Sequence, residues 1–199
     1  MTTPEPETRE RILGAAKEAL LDIGFARLST RRIAEVAHVP LSQIHYHFGS
    51  KKNLVLAILE EENRKLLGRQ TTMYQSEMPL WKRWEQACDY LEDDLESGYV
   101  RVLQEMVAAG WSDAEIAEAV RENLNGWFEL LTGVAEGADE DLGGLGPFTP
   151  SEAAALVGLP FLGAEAAILL GMDEPVLPSR SALRKVGALI RSMEERADS

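Results

Sequence analysis

Apolar residues recur every three or four positions along most of the chain, the spacing that places them on one face of an α-helix. The first such run comprises Ile12, Ala16, Ala19, Leu20 and Ile23. It ends at Gly24, a residue suited to the left-handed conformation that often follows a helix. Beyond residue 75 the pattern is helical throughout, and there no segment alternates apolar and polar residues as strands do and no internal repeat is found. The pattern therefore predicts an all-α protein.

The segment 29–52 predicts two short helices joined by a tight turn. Ser29 or Thr30 can cap the first helix by accepting a hydrogen bond from a backbone N–H group. Pro40 has no N–H group and suits the first position of the second helix, so the break is expected at His38 and Val39.

The second of these short helices has an apolar side and a polar side. Leu41, Ile44 and Phe48 are three and four residues apart and form the apolar side. The polar residues left with much of their surface exposed are Ser42, Gln43, His45, Tyr46 and His47. Such a helix is built to present polar side chains.

After residue 75, prolines and capping boxes mark where helices start. In a capping box a Ser or Thr and a Glu three residues later satisfy each other's backbone donors, as expected for Ser112 with Glu115 and for Thr149 with Glu152. The predicted helices begin at Pro79, Tyr99, Ser112, Thr149 and Ser179. Between the two boxes, the acidic and Gly-rich segment 136–146 predicts a loop.

The charge is distributed unevenly along the chain. Its total of −13 argues against nucleic acid as a partner, because a DNA-binding surface should be basic. Residues 1–55, however, contain 8 Lys and Arg against 6 Asp and Glu, a net of +2 that leaves −15 on the remaining 144 residues. The chain is therefore expected to have two parts, with any phosphate-facing charge confined to the first.

A set of residues in the first part matches a known family. They are Ile33-Ala34, Ala37, Val39, Ile44, Tyr46-His47-Phe48, Ser50-Lys51 and Leu54. At these positions, within 12–59, the sequence resembles the TetR family of bacterial transcriptional regulators. His38 stands where the family usually has Gly and Pro40 where it often has a capping Ser, which bears on the shape of the turn.

The resemblance implies a three-helix DNA-binding domain with a helix-turn-helix motif, residues 1–52. A connector helix, from Ser50 to about Arg69, joins it to a larger helical domain for ligand binding and dimerisation, residues 53–199. The residues expected at phosphate or sugar are Thr30, Arg31, His45, Tyr46, His47 and Lys51, and those expected at base edges are Ser42 and Gln43. The alternative is an ordinary solvated surface. A metal at His45 and His47 is disfavoured, because residues two apart on a helix point in different directions.

Large aromatic and sulfur-containing side chains in the second part suggest an effector site. The candidate residues are Trp81, Trp84, Cys88, Trp127 and Phe128. Acidic Glu85, Asp89 or Glu129 would add a preference for positive charge. The alternative is that these aromatic residues only pack in a core.

Small residues concentrate in the helix expected from Thr149 to about Gly171, where they allow close approach of another backbone. This helix either lies in the interior or forms a dimer surface with the last helix, and the family resemblance favours the dimer surface. The candidate interface residues are Ala155, Gly158, Leu162, Ala164, Ala167, Leu183 and Ile190.

Several classes of protein are disfavoured. A single Cys88 excludes an intramolecular disulfide and a multi-cysteine metal site. We find no nucleophile and base at interpretable spacing, no phosphate-binding Gly loop and no metal-ligand set, so we expect no enzyme activity and no cofactor. No apolar run approaches the length of a membrane span and no secretion signal is evident, which predicts a cytoplasmic protein without a membrane partner.

Together these observations predict a homodimeric transcriptional regulator that binds double-stranded DNA at a pseudo-palindromic operator. Repression is expected because most members of the family are repressors. A small hydrophobic or amphipathic effector would release the operator. The alternative is a helical ligand- or partner-binding protein that has lost DNA binding.

Overall fold

The computed structural model describes residues 5–172 and 175–197. The described residues form nine α-helices and no strand, as the apolar spacing predicts. The helices are α1 (Glu5–Arg27), α2 (Thr30–Val36), α3 (Leu41–Phe48), α4 (Lys51–Tyr74), α5 (Leu80–Glu96), α6 (Tyr99–Gly110), α7 (Ala114–Leu142), α8 (Pro150–Leu169) and α9 (Ser179–Ala197).

The helices cluster into two compact units. The first unit consists of residues 1–64 and 98–121, and the second of residues 65–97 and 122–199. Helices α4 and α7 each begin in the first unit and end in the second. The division into domains at residue 52 stays a prediction.

The core of the first unit is built from six helices, including the start of α7, whose Ile116 is buried. Its fully buried side chains include Ile12 and Leu20 of α1, Ile33 of α2, Ile44 of α3, Leu54 and Leu59 of α4, and Val100, Val102 and Met106 of α6. Burying one such side chain stabilises a fold by about 1.5–3 kcal/mol. Helix α6 thus shares a core with the helix-turn-helix although it lies some fifty residues further along the chain.

The expected end of the first helix at Gly24 is present as an interruption. Gly24 has a φ of +76° and a ψ of 162°, and helical structure continues after it to Arg27. A side chain there would be strained by the positive φ and would meet the Glu105 carboxylate, 3.1 Å from a Cβ atom built on Gly24.

The predicted capping box at Ser112 is wrong. Asp113 caps α7 instead, because its Oδ1 accepts hydrogen bonds from the backbone N–H groups of Glu115 (3.1 Å) and Ile116 (3.2 Å). The Ser112 hydroxyl donates to the Ala109 carbonyl at the end of α6. Asp and Ser cap helices comparably well, so sequence alone does not choose between neighbours.

The loop predicted at 136–146 is wrong for residues 136–142. Helix α7 continues to Leu142 because apolar Ala138 is buried on its inner face, and this burial outweighs the weak helix preference of the acidic and Gly residues around it. The helix stops where Gly143 and Gly144 have φ values of +71° and +122°. The loop therefore starts seven residues later than predicted.

Helix α8 begins with the predicted capping box of Thr149 and Glu152. It has 20 residues, its most apolar window has a mean hydropathy of 1.6, and 33% of that window is buried. By length and composition alone it is a helix that could cross a membrane, so the expectation that no apolar run approaches that length was wrong. Core helices of soluble proteins have the same properties.

Helices α5 and α9 pack together in the second unit. The Trp84 indole N–H donates to the Leu183 carbonyl (2.7 Å), and Trp84 also lies against Gly187, where an added Cβ atom would be 3.1 Å from the indole. The Glu194 carboxylate accepts hydrogen bonds from the N–H groups of Leu80 (2.7 Å) and Trp81 (3.1 Å), the first two residues of α5. Glu194 thus caps the start of α5, because Pro79 at the N-cap makes no side-chain hydrogen bond to the free N–H groups there.

Candidate nucleic-acid interface and ligand cavities

Helix α2 starts at a side-chain cap. The Ser29 hydroxyl accepts a hydrogen bond from the Arg32 backbone N–H (3.2 Å), which decides between the two caps considered from the sequence. Thr30 is then the first helical residue and is half-buried, whereas Arg31 is exposed. Both lie in the first turn of α2.

The turn of the helix-turn-helix keeps the backbone shape that a Gly would allow. His38 has a φ of +51° and is the one described non-Gly residue with a positive φ. Pro40 is the N-cap of α3 with a ψ of 142°, and its carbonyl accepts from the Gln43 N–H (2.9 Å). The expectation that Pro40 is the first helical residue was wrong by one position, because its extended ψ places it outside the helix.

Helix α3 is held by its apolar side. Ile44 and Phe48 are buried, and the guanidinium of Arg9 lies 5.5 Å from the Phe48 ring centroid. On the opposite side Ser42, His45 and Tyr46 are exposed, Tyr46 by 69%. The apolar and polar sides are thus those expected from the sequence.

Three of the polar residues of α3 either contact another residue of the chain or are half-buried. The His45 Nδ1 atom lies 3.0 Å from the Gly49 carbonyl at the end of the helix. The His47 ring is half-buried, and its Nε2 is fully buried without a hydrogen-bond partner in the described residues. Gln43 is half-buried. The described residues contain no group of three or more His, Cys, Asp or Glu placed to hold a metal ion.

Lys51 is anchored to the last turn of α1. Its ammonium donates a hydrogen bond to the Phe25 carbonyl (3.0 Å) and lies 4.4 Å from the centroid of the Phe25 ring. An ammonium has three donors, so this anchoring leaves donors for a phosphate. The contact fixes the first turn of α4 directly after α3.

Glu105 is a residue that the sequence analysis missed. Its carboxylate accepts a hydrogen bond from the Phe25 backbone N–H (2.5 Å) and a second from Arg101 (3.3 Å) on its own helix. The absence of a side chain at Gly24 lets the carboxylate approach. No local pattern signals this contact, since it joins residues 80 positions apart.

Lys52, next to Lys51, is bound to the start of α7. Its ammonium forms ion pairs with Asp113 (3.2 Å) and Glu115. Hydrogen bonds to Glu115 and Asp113 raise the pKa of Lys52 above its ordinary value. The hydrogen bond from the Ile116 backbone, reinforced by the one from Lys52, lowers the pKa of the Asp113 carboxyl. Of the two adjacent lysines, Lys51 is therefore the better placed to meet a phosphate.

Two adjoining cavities lie in the second unit, with volumes of about 480 and 160 Å³. They share the residues Tyr74, Leu80, Val134, Ala138 and Leu142. The larger cavity adds Arg83, Glu129, Asp141 and Glu194, and the smaller adds apolar side chains such as Trp84, Leu131, Ile190 and Met193. The larger volume is within the range of small-molecule sites.

The five predicted effector residues are spread over the second unit. Only Trp84 lines one of these two cavities. Trp81 is half-buried beneath Arg191, and the Trp127 indole N–H donates to Gln70 (2.9 Å). Phe128 packs against Gly158, and burial raises the pKa of the Cys88 thiol to about 11. Tyr74 and Asp141 also line the larger cavity, which the sequence does not predict because nothing in their local pattern marks an empty space.

The predicted dimer residues do not all reach the surface. Gly158, Ala164 and Leu183 are buried inside the single chain, and Ile190 lines the smaller cavity. Ala155, Leu162 and Ala167 are half-buried. Some of the small residues of α8 pack within the chain, since the Phe128 ring lies against Gly158. The large apolar side chains that α8 and α9 do expose are Leu156, Leu159, Leu169, Leu189 and Met193.

Comparison with known proteins places these features in context. Residues 12–58 match the family model described as bacterial regulatory proteins, tetR family. The chain is 26% identical over 125 residues to the transcriptional regulator QacR of Staphylococcus aureus, an alignment covering 59% of this chain and 61% of QacR. It is 43% identical over 54 residues to TtgR of Pseudomonas putida, covering 27% of this chain and 26% of TtgR.

The fold recurs over nearly the full length of solved structures. The fatty acid degradation regulator FadR of Bacillus halodurans superposes with a TM-score of 0.77 at 12% identity, covering 96% of each chain. At that identity the likeness concerns the fold alone. The sequence matches cover 61% of QacR and 26% of TtgR, so they span only part of the length of these relatives.

Proposed function

The chain belongs to the TetR family of bacterial regulatory proteins, and from that premise we propose that it is a cytoplasmic repressor that binds a pseudo-palindromic operator as a homodimer. The observation that carries this proposal is the exposed polar side of α3, mounted on buried Ile44 and Phe48. A helix of this kind fits the major groove, where its polar side chains reach base edges and phosphates.

A dimer is part of the proposal because one α3 helix reads only half of a site. Two such helices enter successive major grooves when a two-fold axis spaces them by about 34–36 Å. The exposed Leu156 and Leu159 of α8 and Leu189 of α9 support a second copy as the cover for this apolar surface. They replace the buried Gly158 and Leu183 as the residues we expect at the interface.

Release of the operator by a small molecule completes the proposal. The two adjoining cavities described above offer space for an organic ligand. The ligand acts by binding the dimer that cannot hold DNA more tightly than the dimer that can, and a difference of about 1–3 kcal/mol changes operator affinity about 5- to 150-fold. Reciprocity requires saturating operator to weaken effector binding by the same factor.

The test is enrichment of genomic DNA fragments by the purified protein at low and at moderate salt. We expect enrichment of fragments that share an inverted repeat, with affinity falling steeply as salt rises because bound phosphates release counterions. A triple variant that replaces Arg31, Tyr46 and Lys51 with Ala provides the control and should enrich nothing. If the wild-type protein also enriches no fragment at low salt, the repressor proposal fails in favour of a helical ligand- or partner-binding protein.

A further inference from the structure

The two adjoining cavities differ in the chemistry of their walls. Apart from the Tyr74 hydroxyl, the side chains around the smaller cavity are apolar or aromatic, including Trp84, Leu131 and Met193. The larger cavity is lined by four ionisable groups besides Tyr74, namely Arg83, Glu129, Asp141 and Glu194. A single molecule that fills both cavities must therefore have an apolar part and a polar part.

The charges around the larger cavity are mostly negative. Arg83 is held by two neutral carbonyl groups, donating to Met78 (2.7 Å) and Tyr74 (3.0 Å). Glu194 is committed to the backbone N–H groups at the start of α5. Glu129 and Asp141 remain, and in the described part of the chain neither carboxylate has an ion-pair partner. Three carboxylates against one guanidinium leave an excess of two negative charges on this wall.

Tyr74 lies where the two cavities meet, since it lines both. Its hydroxyl forms no hydrogen bond with another described residue. Desolvation raises the pKa of this hydroxyl above its ordinary value, so the ring stays neutral at physiological pH. A neutral aromatic ring beside carboxylates attracts an organic cation through the negative face of its π system.

We propose that the two cavities form one site for an amphipathic organic cation, with its apolar part in the smaller cavity and its cationic group between Tyr74, Glu129 and Asp141 in the larger one. This inference rests on the proposed function and specifies the class of effector. It selects against amphipathic anions, which the same carboxylates repel.

Three probes with the same alkyl chain test the charge preference on the whole 199-residue chain without DNA: octyltrimethylammonium, octyl sulfate and octanol. Binding is measured by calorimetry and by tryptophan fluorescence, since Trp84 lines the smaller cavity. We expect the ammonium to bind about tenfold more tightly than the sulfate, with octanol between them. Equal binding of ammonium and sulfate, or no binding of the ammonium, would overturn the proposal.

Variants that each remove one carboxylate show which side chains produce the preference for a cation. Glu129→Gln and Asp141→Asn should each weaken ammonium binding about two- to fivefold and leave octanol binding unchanged. The matched control is Glu136→Gln, which removes an exposed carboxylate from the same helix but does not line either cavity. If the control weakens ammonium binding as much as the two cavity variants do, the preference comes from the acidic chain as a whole and the site is wrong.

The two proposals fail in different ways. These binding measurements need no operator, so charge-dependent binding of the ammonium supports the site by itself. If the ammonium binds in this way but does not release the operator, only the effector role in the proposed function fails. If the protein binds its operator but is indifferent to probe charge, the repressor proposal stands and this inference is refuted.

Discussion

At the scale of single residues, Phe25 connects three helices through its backbone. Its N–H group donates to Glu105 of α6, its carbonyl accepts from Lys51 of α4, and it lies within the last turn of α1. Lys51 follows the end of α3 by three residues. Its hydrogen bond to the Phe25 carbonyl therefore fixes where the chain turns from α3 into α4. Gly24 makes this possible by leaving room for the Glu105 carboxylate.

Replacing Glu105 by Ala removes the acceptor of the partly buried Phe25 N–H group. We expect the free energy of unfolding to fall by about 1–3 kcal/mol, the cost of leaving such a donor unsatisfied. Urea unfolding at constant m value measures the loss. Arg101→Ala removes the more exposed partner of the same carboxylate and should cost only about 0–1 kcal/mol. Equal losses in the two variants would contradict the role given to Phe25.

Gln43 and Arg31 separate base recognition from phosphate contact. Gln43→Ala should relax the preference at one base position of the operator by about 1–3 kcal/mol, because we expect its amide to pair with a base edge. Arg31→Ala should weaken binding to all DNA sequences alike and reduce the slope of log affinity against log salt concentration by about 1. Binding to a set of single-base operator variants at two salt concentrations measures both effects. If Gln43→Ala instead weakened binding to all operator variants equally, a contact between Gln43 and a base would be excluded.

At the scale of elements, α7 joins the two candidate sites along one continuous helix. Asp113 and Glu115 at its start bind Lys52, the neighbour of Lys51, while Glu129, Ala138 and Asp141 nearer its end line the cavities. Helix α4 likewise begins next to α3 and ends at Tyr74, which lines both cavities. Under the proposed function, these two helices are the elements that we expect to couple ligand binding to DNA binding.

The cap of α7 gives a pH dependence with a definite sign. Because the folded protein lowers the pKa of Asp113, this carboxylate stabilises the fold above the ordinary Asp pKa of about 3.9, and the contribution is lost as the pH falls through the lowered value. Asp113→Asn removes the charge and keeps a capping side chain. We expect the melting temperatures of the wild type and this variant to differ at pH 7 and to converge near pH 2, as followed by circular dichroism. A difference that stays constant with pH would show that Asp113 does not act through its charge.

At the scale of the whole molecule, the exposed apolar side chains of α8 and α9 and the acidic net charge have opposite effects on the association of two copies. The chain carries −13 overall, which opposes association of copies, whereas Leu156, Leu159 and Leu189 expose 56–64% of their surface and favour it. We expect hydrophobic burial to outweigh the charge repulsion at physiological salt, because screening shortens the reach of the charges to about 8 Å. A dimer through this surface is the expected outcome.

Leu159→Glu should convert the dimer to monomers, because it would bury two carboxylates against the apolar surface of the other copy. Operator affinity should fall with it, although no residue of α2 or α3 is changed. Sedimentation velocity measures the mass, and Trp111→Glu is the control, since Trp111 is 84% exposed but lies at the end of α6. A wild type that sediments as a monomer, or a dimeric Leu159→Glu, would refute the interface. Ala164 is unsuitable for this test because it is buried in the single chain.

The sequence by itself determined the features that depend on neighbours along the chain. Apolar spacing, a cap at Ser29 or Thr30, the capping box at Thr149 and the interruption at Gly24 act within one or two helical turns, so the helices and the two sides of α3 could be predicted. Only the tertiary structure decided the rest. Glu105 meets Phe25 across 80 positions, Lys52 meets Asp113 across 61, and Glu194 meets Leu80 across 114, so no local pattern announces them. The cavities and the exposed leucines are likewise set by which side chains of distant helices fail to touch, a property of packing that a periodic sequence leaves open.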